Sequence, residues 1–552
     1  MILACKVKLN FFIFQKKTIV GDIKKNFLNF KRAYKKAEKK KCDFFITSEL
    51  ALCGYPPKDL MFRNDFIKRL DIYKNKIINF TQSKKTIFVL GTIIKENSNL
   101  YNAAVLIRNG KVINEIKKTV LPNDGVFDEK RYFSKSNNNE KFFLFKNKNI
   151  RFLICEDIWN EGLTNQLCEE KTDFLIVLNA SPYEKNKFKK RFELLKKRVK
   201  QFGSPILYVN SLGGQDDLVF DGGSFCINTK QKIIFQAPFF QNYEDGFIFN
   251  EKKEYKVVKY KKNKNFYDAL TLSLRDYVNN SNFSSIILGI SGGIDSALSA
   301  TIACDAVGKK NVKGFFLPSL YTSKESKEDS ENLSKNLGIE LETIEIESLR
   351  EKYNKTLSKT FSSYSEDITE ENIQSRIRGS ILMALSNKFG SLLLTTGNKS
   401  EFAVGYSTIY GDMCGGFSIL KDVYKSEVFM LSKWRNKIYT EICLNKDKGL
   451  IPQNIILKEP TAELRFNQKD TDSLPSYDIL DEILYLLIEK NLGLSDLEKK
   501  GYDKGLVIKI WKMLTNSEFK RFQSIVGPKV SSMSFDSERR FPLVNKFLLE
   551  DK

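Results

Sequence analysis

The hydrophobic and polar positions divide the first half of the chain into short apolar runs and amphipathic stretches. Across residues 23–37, apolar side chains recur in steps of three and four residues, which places them on one face of a predicted helix. Short apolar runs between turn signals are typical of strands, and Asn109-Gly110 is a hairpin signal between two of them. The predicted strands are residues 1–14, 44–47, 87–94, 103–108, 111–116, 150–155, 174–179, 206–210 and 224–227. This mixed order of elements predicts a layered α/β domain.

The second half shows a regular alternation of strands and helices. The elements predicted there are a strand at 286–290, a helix at 296–307, a strand at 312–316, a helix at 323–337 and a strand at 342–346. A βαβαβ order of this kind predicts a doubly wound, Rossmann-like parallel sheet. The last hundred residues are polar with helical spacing, so we expect a helical C-terminal extension.

A highly charged segment separates the two halves. The string EKKEYKVVKYKKNKNF is rich in lysine and has few side chains that could form a core. We therefore predict one domain at residues 1–250, a lysine-rich linker at 251–265 and a second domain at 266–552.

Composition restricts the chemistry that this chain can perform. The sequence contains no histidine, which excludes Ser-His-Asp triads, Cys-His dyads and zinc sites with histidine ligands. Nine cysteines without a CxxC pair indicate reduced thiols and a cytoplasmic location. The apolar N-terminal stretch carries Lys6 and Lys8, so a first strand is expected there rather than a signal peptide. No run of apolar residues is long enough to predict a membrane span.

The chain is strongly basic, with a formal net charge of +23. Lysines are scattered along the whole chain, so we interpret the charge mainly as a solvated surface that helps to collect phosphorylated substrates. Binding of RNA is the less favoured interpretation of the same charge.

The segment from Ile286 to Ser296 has the pattern of a phosphate-binding loop. A buried strand ends in Ser291-Gly292-Gly293, and a helix follows. Glycines allow the backbone to approach an anion, and the amides of the helix N-terminus point towards it. The lysine of a P-loop is missing, which argues against transfer of the terminal phosphoryl group and favours pyrophosphate as a leaving group.

The string Ser-Gly-Gly-Ile-Asp-Ser resembles the signature of the ATP pyrophosphatases, and further strings resemble NAD synthetase over residues 266–547. These strings are ENIQSRIRG from residue 371, LTTGNKSE from 394 with VGY from 404, YGDM from 410, and KEPTAELR from 458 with DTDSLP from 470. Members of this family adenylate the nicotinate carboxylate of deamido-NAD and then replace AMP by ammonia.

The resemblance implies positions for the substrates and for a metal ion. It places ATP on Gly289, Ile290, Ser291, Gly292, Gly293, Ile294, Asp295, Ser296 and Thr396. It places deamido-NAD against Asn372, Glu401 and Lys520, with Mg²⁺ near Asp295 and Glu401. Each position also has an ordinary structural interpretation: Thr396 could belong to a strand-end turn, Glu401 could be a surface carboxylate, and Lys520 could be one of many solvated lysines.

A cysteine in the first half occupies a position suited to catalysis. Cys155 ends a predicted apolar strand, where reactive side chains of open α/β sheets project. With no histidine available, its thiol requires a carboxylate base and a nearby cation, for which Glu49 and Lys118 are candidates. A strand-end cysteine is otherwise a small buried apolar residue.

The strings around these residues resemble the nitrilase family, in particular the glutamine amidase domain of glutamine-dependent NAD synthetases. They are TSELALCGYPP from residue 47, KTVLPNDGVFDEKRY from 118, ICED from 154, NASPY from 179 and GGQDDLVFDGGS from 213. The resemblance covers about residues 1–250 and implies a four-layer α-β-β-α nitrilase sandwich. It therefore extends over both halves of the chain.

This second resemblance implies a division of roles. Cys155 would attack the carboxamide of L-glutamine, Glu49 would accept the thiol proton and later activate water, and Lys118 would stabilise the oxyanion. Glu129 would orient this group, and Asp124, Ser181 and Lys187 would hold glutamine. The family has Tyr where this chain has Asp124, which puts glutamine affinity in doubt. The resemblance also implies a homo-oligomer, either a dimer through the synthetase domains or an octamer.

Two other functions remain open from the sequence. One is an ammonia-dependent NAD synthetase with a weakened amidase, to which the departure at Asp124 points. The other is an RNA-modifying ATP pyrophosphatase that uses the basic charge, but the sequence shows neither an added RNA-binding module nor a thiolating cysteine pair.

Overall fold

The structure is a computed structural model that describes residues 8–136, 142–250, 260–472, 474–535 and 538–539. The chain divides into two compact units, Met1–Asn265 and Phe266–Lys552. Of the predicted linker, residues 251–259 lie outside the described residues, and a helix begins at Lys262 within the remainder. None of the described helices has the length and apolar composition needed to cross a membrane.

Within its described residues, the first unit contains two six-stranded sheets, a two-stranded ribbon and four α-helices. Its strands are β1 (Asn10–Gln15), β2 (Phe44–Ile46), β3 (Ile87–Glu96), β4 (Asn99–Arg108), β5 (Lys111–Lys117), β6 (Phe142–Phe145), β7 (Lys148–Ile154), β8 (Phe174–Asn179), β9 (Ile206–Asn210), β10 (Leu212–Gln215), β11 (Leu218–Asp221), β12 (Phe225–Ile227), β13 (Ile233–Gln236) and β14 (Tyr243–Ile248). Its helices are α1 (Ile23–Lys39), α2 (Asn64–Phe80), α3 (Glu161–Leu167) and α4 (Lys187–Phe202).

The strand order is β14-β1-β2-β3-β4-β5 in one sheet and β13-β12-β9-β8-β7-β6 in the other, while β10 and β11 form the ribbon. The predicted hairpin at Asn109-Gly110 is confirmed, because β4 and β5 pair in antiparallel register on either side of it. The predicted first strand, residues 1–14, is described only from residue 8, and β1 begins at Asn10.

Alternating residues of the strands fill two different cores. In β1, Phe11 and Ile13 pack between the two sheets, whereas Phe12 and Phe14 face outward. The outer pair is covered by α1, where the ring centroids of Phe14 and Phe30 lie 5.0 Å apart. Because successive strand residues point to opposite faces, a strand that is apolar throughout must be covered on both sides.

The outer face of the second sheet is covered in the same way by α3 and α4. Leu163 of α3 and Leu195 and Val199 of α4 share a core with Val177 of β8. The first unit is therefore a helix-sheet-sheet-helix stack, and the predicted four-layer α-β-β-α sandwich is confirmed.

The second unit contains a five-stranded sheet and most of the remaining helices. Its strands are β15 (Ile286–Gly289), β16 (Val312–Phe316), β17 (Glu340–Thr343), β18 (Leu392–Thr395) and β19 (Phe417–Ser418). Its helices are α5 (Lys262–Asn280), α6 (Ile294–Val307), α7 (Lys324–Leu337), α8 (Glu347–Leu357), α9 (Ile368–Phe389), α10 (Lys399–Val404), α11 (Lys425–Lys437), α12 (Gln453–Leu457), α13 (Tyr477–Ile488), α14 (Leu494–Lys499), α15 (Lys504–Asn516) and α16 (Glu518–Phe522).

All neighbouring strands of this sheet are parallel, in the order β17-β16-β15-β18-β19. The predicted doubly wound sheet with a helical C-terminal extension is confirmed. The strand order reverses between β15 and β18, and ligands of such sheets bind beyond the carboxyl ends of the strands at that reversal. The predicted ATP-binding residues lie from the last residue of β15 to the first turn of α6, and Thr396 lies directly after β18.

Candidate active sites

Glu49, Lys118 and Cys155 meet in the interior of the first unit, each just beyond the end of a strand. Glu49 follows β2, Lys118 follows β5 and Cys155 follows β7. Nζ of Lys118 donates a hydrogen bond to Oε1 of Glu49 over 2.8 Å, and Cys155 experiences the charges of both residues. All three side chains are buried. The fold thus brings together three residues that are far apart in the sequence.

Burial and charge determine the protonation of this cluster. Burial raises the pKa of Cys155 well above its ordinary value, and Glu49 raises it further while Lys118 opposes the shift. Burial lowers the pKa of Lys118, but the carboxylates of Glu129 and Glu49 outweigh it, so the pKa lies well above its ordinary value. A neutral thiol therefore rests beside an ammonium ion and a carboxylate. Such a thiol must give up its proton during nucleophilic attack, to a base that is already in place.

Glu129 lies on the other side of Lys118. Its two carboxylate oxygens accept hydrogen bonds from Nζ of Lys118 at 2.9 and 2.8 Å, and Oε1 also accepts one from the Tyr55 hydroxyl at 3.1 Å. Burial raises the pKa of Glu129 to about 7, while Lys118 acts in the opposite direction. The Lys118 ammonium is therefore held between two carboxylates.

The backbone at Cys155 forms a sharp turn. Cys155 has a φ of 45°, which is uncommon for a residue with a side chain, and it opens the short 3-10 helix Cys155–Ile158. Asp157 anchors this turn, because its Oδ1 accepts hydrogen bonds from the backbone N–H groups of Thr119 at 3.0 Å and Val120 at 2.8 Å. One buried carboxylate thus joins the cysteine turn to the segment after the catalytic lysine candidate. Sequence reasoning missed Asp157, although it stands within the ICED string.

Ser181 is held by a buried network on the same side of the unit. Arg191 of α4 donates from Nε to the Ser181 hydroxyl over 3.2 Å and from Nη2 to the Ser181 carbonyl over 2.8 Å. The same guanidinium forms an ion pair with Asp221, with an oxygen 2.8 Å away. Ser181 is therefore a fixed part of the interior. Arg191 and Asp221 were not identified from the sequence.

Asp124 and Lys187 lie in more open positions near Glu156. Asp124 is exposed, whereas Lys187 is half-buried with its Nζ 5.4 Å from the centre of the Trp159 ring. Burial raises the pKa of Glu156, and among the charges that act on it are those of Lys118, Asp124 and Lys187. Acidic and basic groups thus surround the residue that follows Cys155, which is an arrangement suited to a zwitterionic ligand.

The glycine-rich loop of the second unit has the geometry that its sequence predicts. Gly292 has a φ of 79°, and a Cβ atom there would lie 2.6 Å from the backbone carbonyl of Ser326, so only glycine fits. Gly293 caps α6, and the Ser296 hydroxyl donates to its carbonyl over 2.9 Å. The helix begins at Ile294, two residues before the predicted start. Asp295 therefore lies in the first turn of α6.

Asp295 and Glu401 share one cation. Nζ of Lys425, the first residue of α11, donates to Oδ2 of Asp295 over 2.5 Å and to Oε1 of Glu401 over 3.1 Å. Asn398 links the two acids, since its Nδ2 donates to Oδ1 of Asp295 over 2.8 Å and its Oδ1 accepts from the Glu401 backbone N–H at 3.0 Å. Burial raises the pKa of Glu401 to about 8, with Lys425 opposing and Asp295 reinforcing the shift.

A cavity of about 390 Å³ lies beyond the carboxyl ends of β15 and β18. It is lined by every residue that the sequence assigned to ATP or deamido-NAD: Gly289, Ile290, Ser291, Gly292, Gly293, Ile294, Asp295, Ser296, Asn372, Thr396, Glu401 and Lys520. The fold therefore gathers residues from both ends of this unit around one space.

Asn372 and Lys520 are fixed on the wall of this cavity by neighbouring groups. Oδ1 of Asn372 accepts a hydrogen bond from the Thr408 hydroxyl at 2.7 Å. Nζ of Lys520 donates to the carbonyls of Gly405 at 2.8 Å and Ser407 at 2.7 Å, and burial lowers the pKa of Lys520. Lys520 is thus no freely solvated lysine.

Two further lysines line the cavity and were not identified as site residues from the sequence. They are Lys425, described above, and Lys458, whose Nζ donates to the Ser326 hydroxyl over 2.7 Å. Lys458 stands at the start of the KEPTAELR string, so its motif was visible in the sequence. Lys425 had no such signal, because its role follows from the position of α11 beside α6.

The carboxylates of Asp295 and Glu401 fit a divalent cation. Both are hard oxygen donors, and both already direct an oxygen at the same ammonium ion. In the described part of the chain, no group of three or more Asp, Glu, Cys or His side chains is arranged to hold a metal ion. The protein would thus supply two ligands, and Mg²⁺ typically completes its shell with water and substrate phosphates.

Comparison with known proteins identifies relatives along the whole chain. Residues 13–243 match the carbon-nitrogen hydrolase family, and residues 266–524 match the NAD synthase family. The glutamine-dependent NAD(+) synthetase of Acinetobacter baylyi is 42% identical over 96% of this chain and 97% of its own length. The enzyme of the same name from Thermotoga maritima is 39% identical, with the same coverage of 96% and 97%.

A solved structure agrees with these relatives. The glutamine-dependent NAD+ synthetase of Acinetobacter baumannii, in complex with ADP, has a TM-score of 0.77 and 39% identity, covering 99% of this chain and 100% of its own. The corresponding synthetase of Cytophaga hutchinsonii has a TM-score of 0.82 at 21% identity and covers 98% of each chain. This second similarity supports the fold.

Proposed function

Because the chain belongs to the glutamine-dependent NAD(+) synthetase family, we propose that it amidates deamido-NAD to NAD at the expense of ATP, with ammonia taken from L-glutamine. In this proposal residues 1–250 form the glutamine amidase domain and residues 266–552 the NAD synthetase domain. One observation carries it: each compact unit builds its own cluster of a lysine between two carboxylates, one beside a buried thiol and one beside an anion-binding loop.

At the amidase site, Cys155 is the nucleophile. Its sulfur attacks the carboxamide carbon of glutamine while Glu49 accepts the thiol proton, and Lys118 stabilises the oxyanion that forms. Collapse of the tetrahedral intermediate breaks the C–N bond, and Glu49 returns the proton to the departing ammonia. Glu49 then activates the water that hydrolyses the thioester and releases glutamate. The 2.8 Å contact between Glu49 and Lys118 supports this division of roles.

Glutamine is held beside Cys155 by groups of both signs. We assign its α-carboxylate to Lys187 and its α-ammonium to Asp124, with Ser181 as a further polar contact. The charges of Asp124 and Lys187 around Glu156 support a site for a zwitterion. Glu129 orients Lys118 through its two hydrogen bonds.

At the synthetase site, residues 289–296 and Thr396 bind ATP. The backbone amides at the start of α6 hold the phosphates, and the nicotinate carboxylate of deamido-NAD, placed by Asn372, Glu401 and Lys520, attacks the α-phosphate. Pyrophosphate leaves, and ammonia then displaces AMP from the NAD-adenylate. Mg²⁺ held by Asp295 and Glu401 would reduce the repulsion between the two anionic substrates. Lys425 brings a permanent positive charge to the same place.

We further propose that the protein works in the cytoplasm as a homo-oligomer, either a dimer through the synthetase domains or an octamer. The free cysteines among the described residues support a reducing compartment. Sedimentation velocity of the purified chain measures the oligomeric state.

The decisive experiment supplies purified protein with deamido-NAD, Mg-ATP and either glutamine or ammonium. NAD, AMP, pyrophosphate and glutamate are measured together. We expect NAD with both nitrogen donors and glutamate with the first. Formation of NAD from ammonium alone would establish the weakened amidase instead, and absence of NAD with both donors would contradict the proposed function.

A further inference from the structure

Asn102 of β4 contacts two of the residues assigned to glutamine hydrolysis. Its Nδ2 donates a hydrogen bond to Oε1 of Glu49 over 2.8 Å, the same oxygen that accepts from Nζ of Lys118. Its backbone carbonyl accepts from the Lys118 backbone N–H, also at 2.8 Å. The residue is 1% exposed. We infer that Asn102 is a positioning residue that holds Glu49 as the proton acceptor of the amidase site, an inference that rests on the proposed function.

The Asn102 side-chain amide points its NH2 group at Glu49. Its Oδ1 is buried and has no hydrogen-bond partner among the described residues. Reversing the amide would not help, because Oδ1 would then face a carboxylate oxygen of Glu49 and repel it. A buried acceptor without a partner costs stability. The Asn102 side chain thus donates to Glu49 while its own acceptor oxygen remains without a hydrogen bond.

This contact holds the Glu49 carboxylate in place without adding charge. Three donors serve the carboxylate: Asn102 and Lys118 on Oε1, and the Ala180 backbone N–H on Oε2 at 2.9 Å. Donors on both oxygens fix the plane of a carboxylate. A general base has to be ionised and correctly directed before the thiol arrives.

The other ionisable groups that act on Glu49 do not replace this donor. Those whose charges interact with Glu49 are Tyr55, Lys118, Glu129, Cys155 and Glu156. In that set Lys118 alone is a cation, and it is shared with Glu129. Loss of the Asn102 donor would leave Oε1 of Glu49 dependent on a lysine that a second carboxylate also binds, with the Ala180 N–H remaining on Oε2.

The test uses two variants at this position in the full-length protein. Asn102→Ala removes the donor at every pH, and we expect the kcat for glutamate release to fall about 10- to 100-fold, the loss appropriate to a hydrogen bond with a charged group, with less change in KM. Asn102→Asp has nearly the same shape. Its new carboxyl group can donate to Glu49 while protonated and repels Glu49 once ionised. The activity of this variant relative to the unmodified protein should therefore fall as pH rises.

Two controls accompany these measurements. Asn228→Asp makes the same amide-to-acid change at a buried turn of the first unit, where Asn228 Oδ1 accepts from the Lys232 backbone N–H, and its relative activity should be flat with pH. Ammonium-supported NAD formation should be unchanged in all three variants, which shows that the synthetase unit is intact.

A kcat within threefold of the unmodified protein for Asn102→Ala, or the same flat pH response for Asn102→Asp and Asn228→Asp, would overturn the inference. If Asn102→Ala does not fold, the pH response of Asn102→Asp is the measurement that tests the inference. Absence of glutamate release from the unmodified protein would be a failure of the proposed function and is read from the same assay.

Discussion

Each of the two units contains a lysine whose ammonium group lies between two carboxylates. In the first, Lys118 lies between Glu49 and Glu129; in the second, Lys425 lies between Asp295 and Glu401. The clusters differ in how far their carboxylates are exposed to solvent. The side chains of Lys118 and Glu49 are 0% exposed, whereas those of Asp295 and Glu401 on the cavity wall are 17% and 18% exposed.

This difference in access decides what each cluster can do. Buried charges keep their partners because separation would leave them unpaired in a low dielectric. The first cluster is therefore suited to its proposed roles, which are to accept a proton and to donate a hydrogen bond to an oxyanion. A pair of carboxylates at a cavity wall can exchange partners with solvent and substrate. The second cluster is therefore suited to take up a metal ion beside the lysine. In the proposed function, the same residue types thus serve covalent catalysis in one unit and charge neutralisation in the other.

The supports behind the two clusters differ as well. In the first unit Asp157 ties the cysteine turn to backbone N–H groups. In the second unit, α6 and α11 carry Asp295 and Lys425 in their first turns, and a buried ion pair between Asp305 and Arg435, at 2.7 Å, joins the same two helices near their other ends. In the first unit a side chain fixes a turn by binding backbone N–H groups, whereas in the second unit two side chains join a pair of helices.

The largest expected effect comes from a variant that abolishes the reaction of the first unit and leaves that of the second intact. Cys155→Ala removes the nucleophile, so glutamine-supported NAD formation should fall by about a thousandfold or more, because loss of a nucleophile is among the most damaging single changes. Ammonium-supported formation should persist. Parallel assays with both donors measure this, and equal losses would contradict the division into two sites.

The next effect is expected from the exposed cluster. Asp295→Ala should lower the kcat with either nitrogen donor by about 100-fold or more, since the two anionic substrates lose a charge-neutralising group. Pyrophosphate release with glutamine and with ammonium is the measurement. Asp478→Ala, an exposed acid at the start of α13, is the control and should be unaffected. A wild-type rate for Asp295→Ala would show that the loop has been assigned wrongly.

A smaller effect, with a pH signature, is expected at the second carboxylate of the buried cluster. Burial raises the pKa of Glu129 to about 7, so Glu129 is ionised and holds Lys118 only above that pH. Glutamine-supported activity should therefore fall as pH drops through about 7, relative to the ammonium reaction. Glu129→Gln should lose about tenfold at high pH and little at low pH. The exposed Glu161→Gln is the control, and a variant that keeps the full pH dependence would exclude Glu129 as its source.

A last effect, of similar size, tests Asp124, where the family resemblance implies Tyr. If Asp124 binds the α-ammonium of glutamine, Asp124→Tyr should raise the KM for glutamine about tenfold, the loss of one charge-assisted hydrogen bond, with kcat nearly unchanged. A lower KM would mean that an aromatic ring closes the pocket better. An unchanged KM would place Asp124 outside the glutamine site. The ammonium reaction serves as the reference in each case.

The sequence by itself determined much of this protein. Periodicity located strands 174–179 and 206–210 at their observed bounds. Two glycines marked the loop before α6, and one of them, Gly292, has a backbone conformation that requires glycine. These signals are local, because apolar periodicity and turn chemistry depend on residues close together in the chain. The motifs then indicated Cys155 and Asp295 as site residues, since each stands in a recognisable string.

Tertiary structure decided which groups contact one another. Asn102, Asp157 and Lys425 became visible only when strands and helices distant in sequence were packed side by side. Sequence could supply two lysines and four acids but not their burial, which fixes one cluster and leaves the other open to a cavity. Burial depends on all the elements that cover a group, and the energy of a charge depends on that burial, so neither can be obtained from a local pattern.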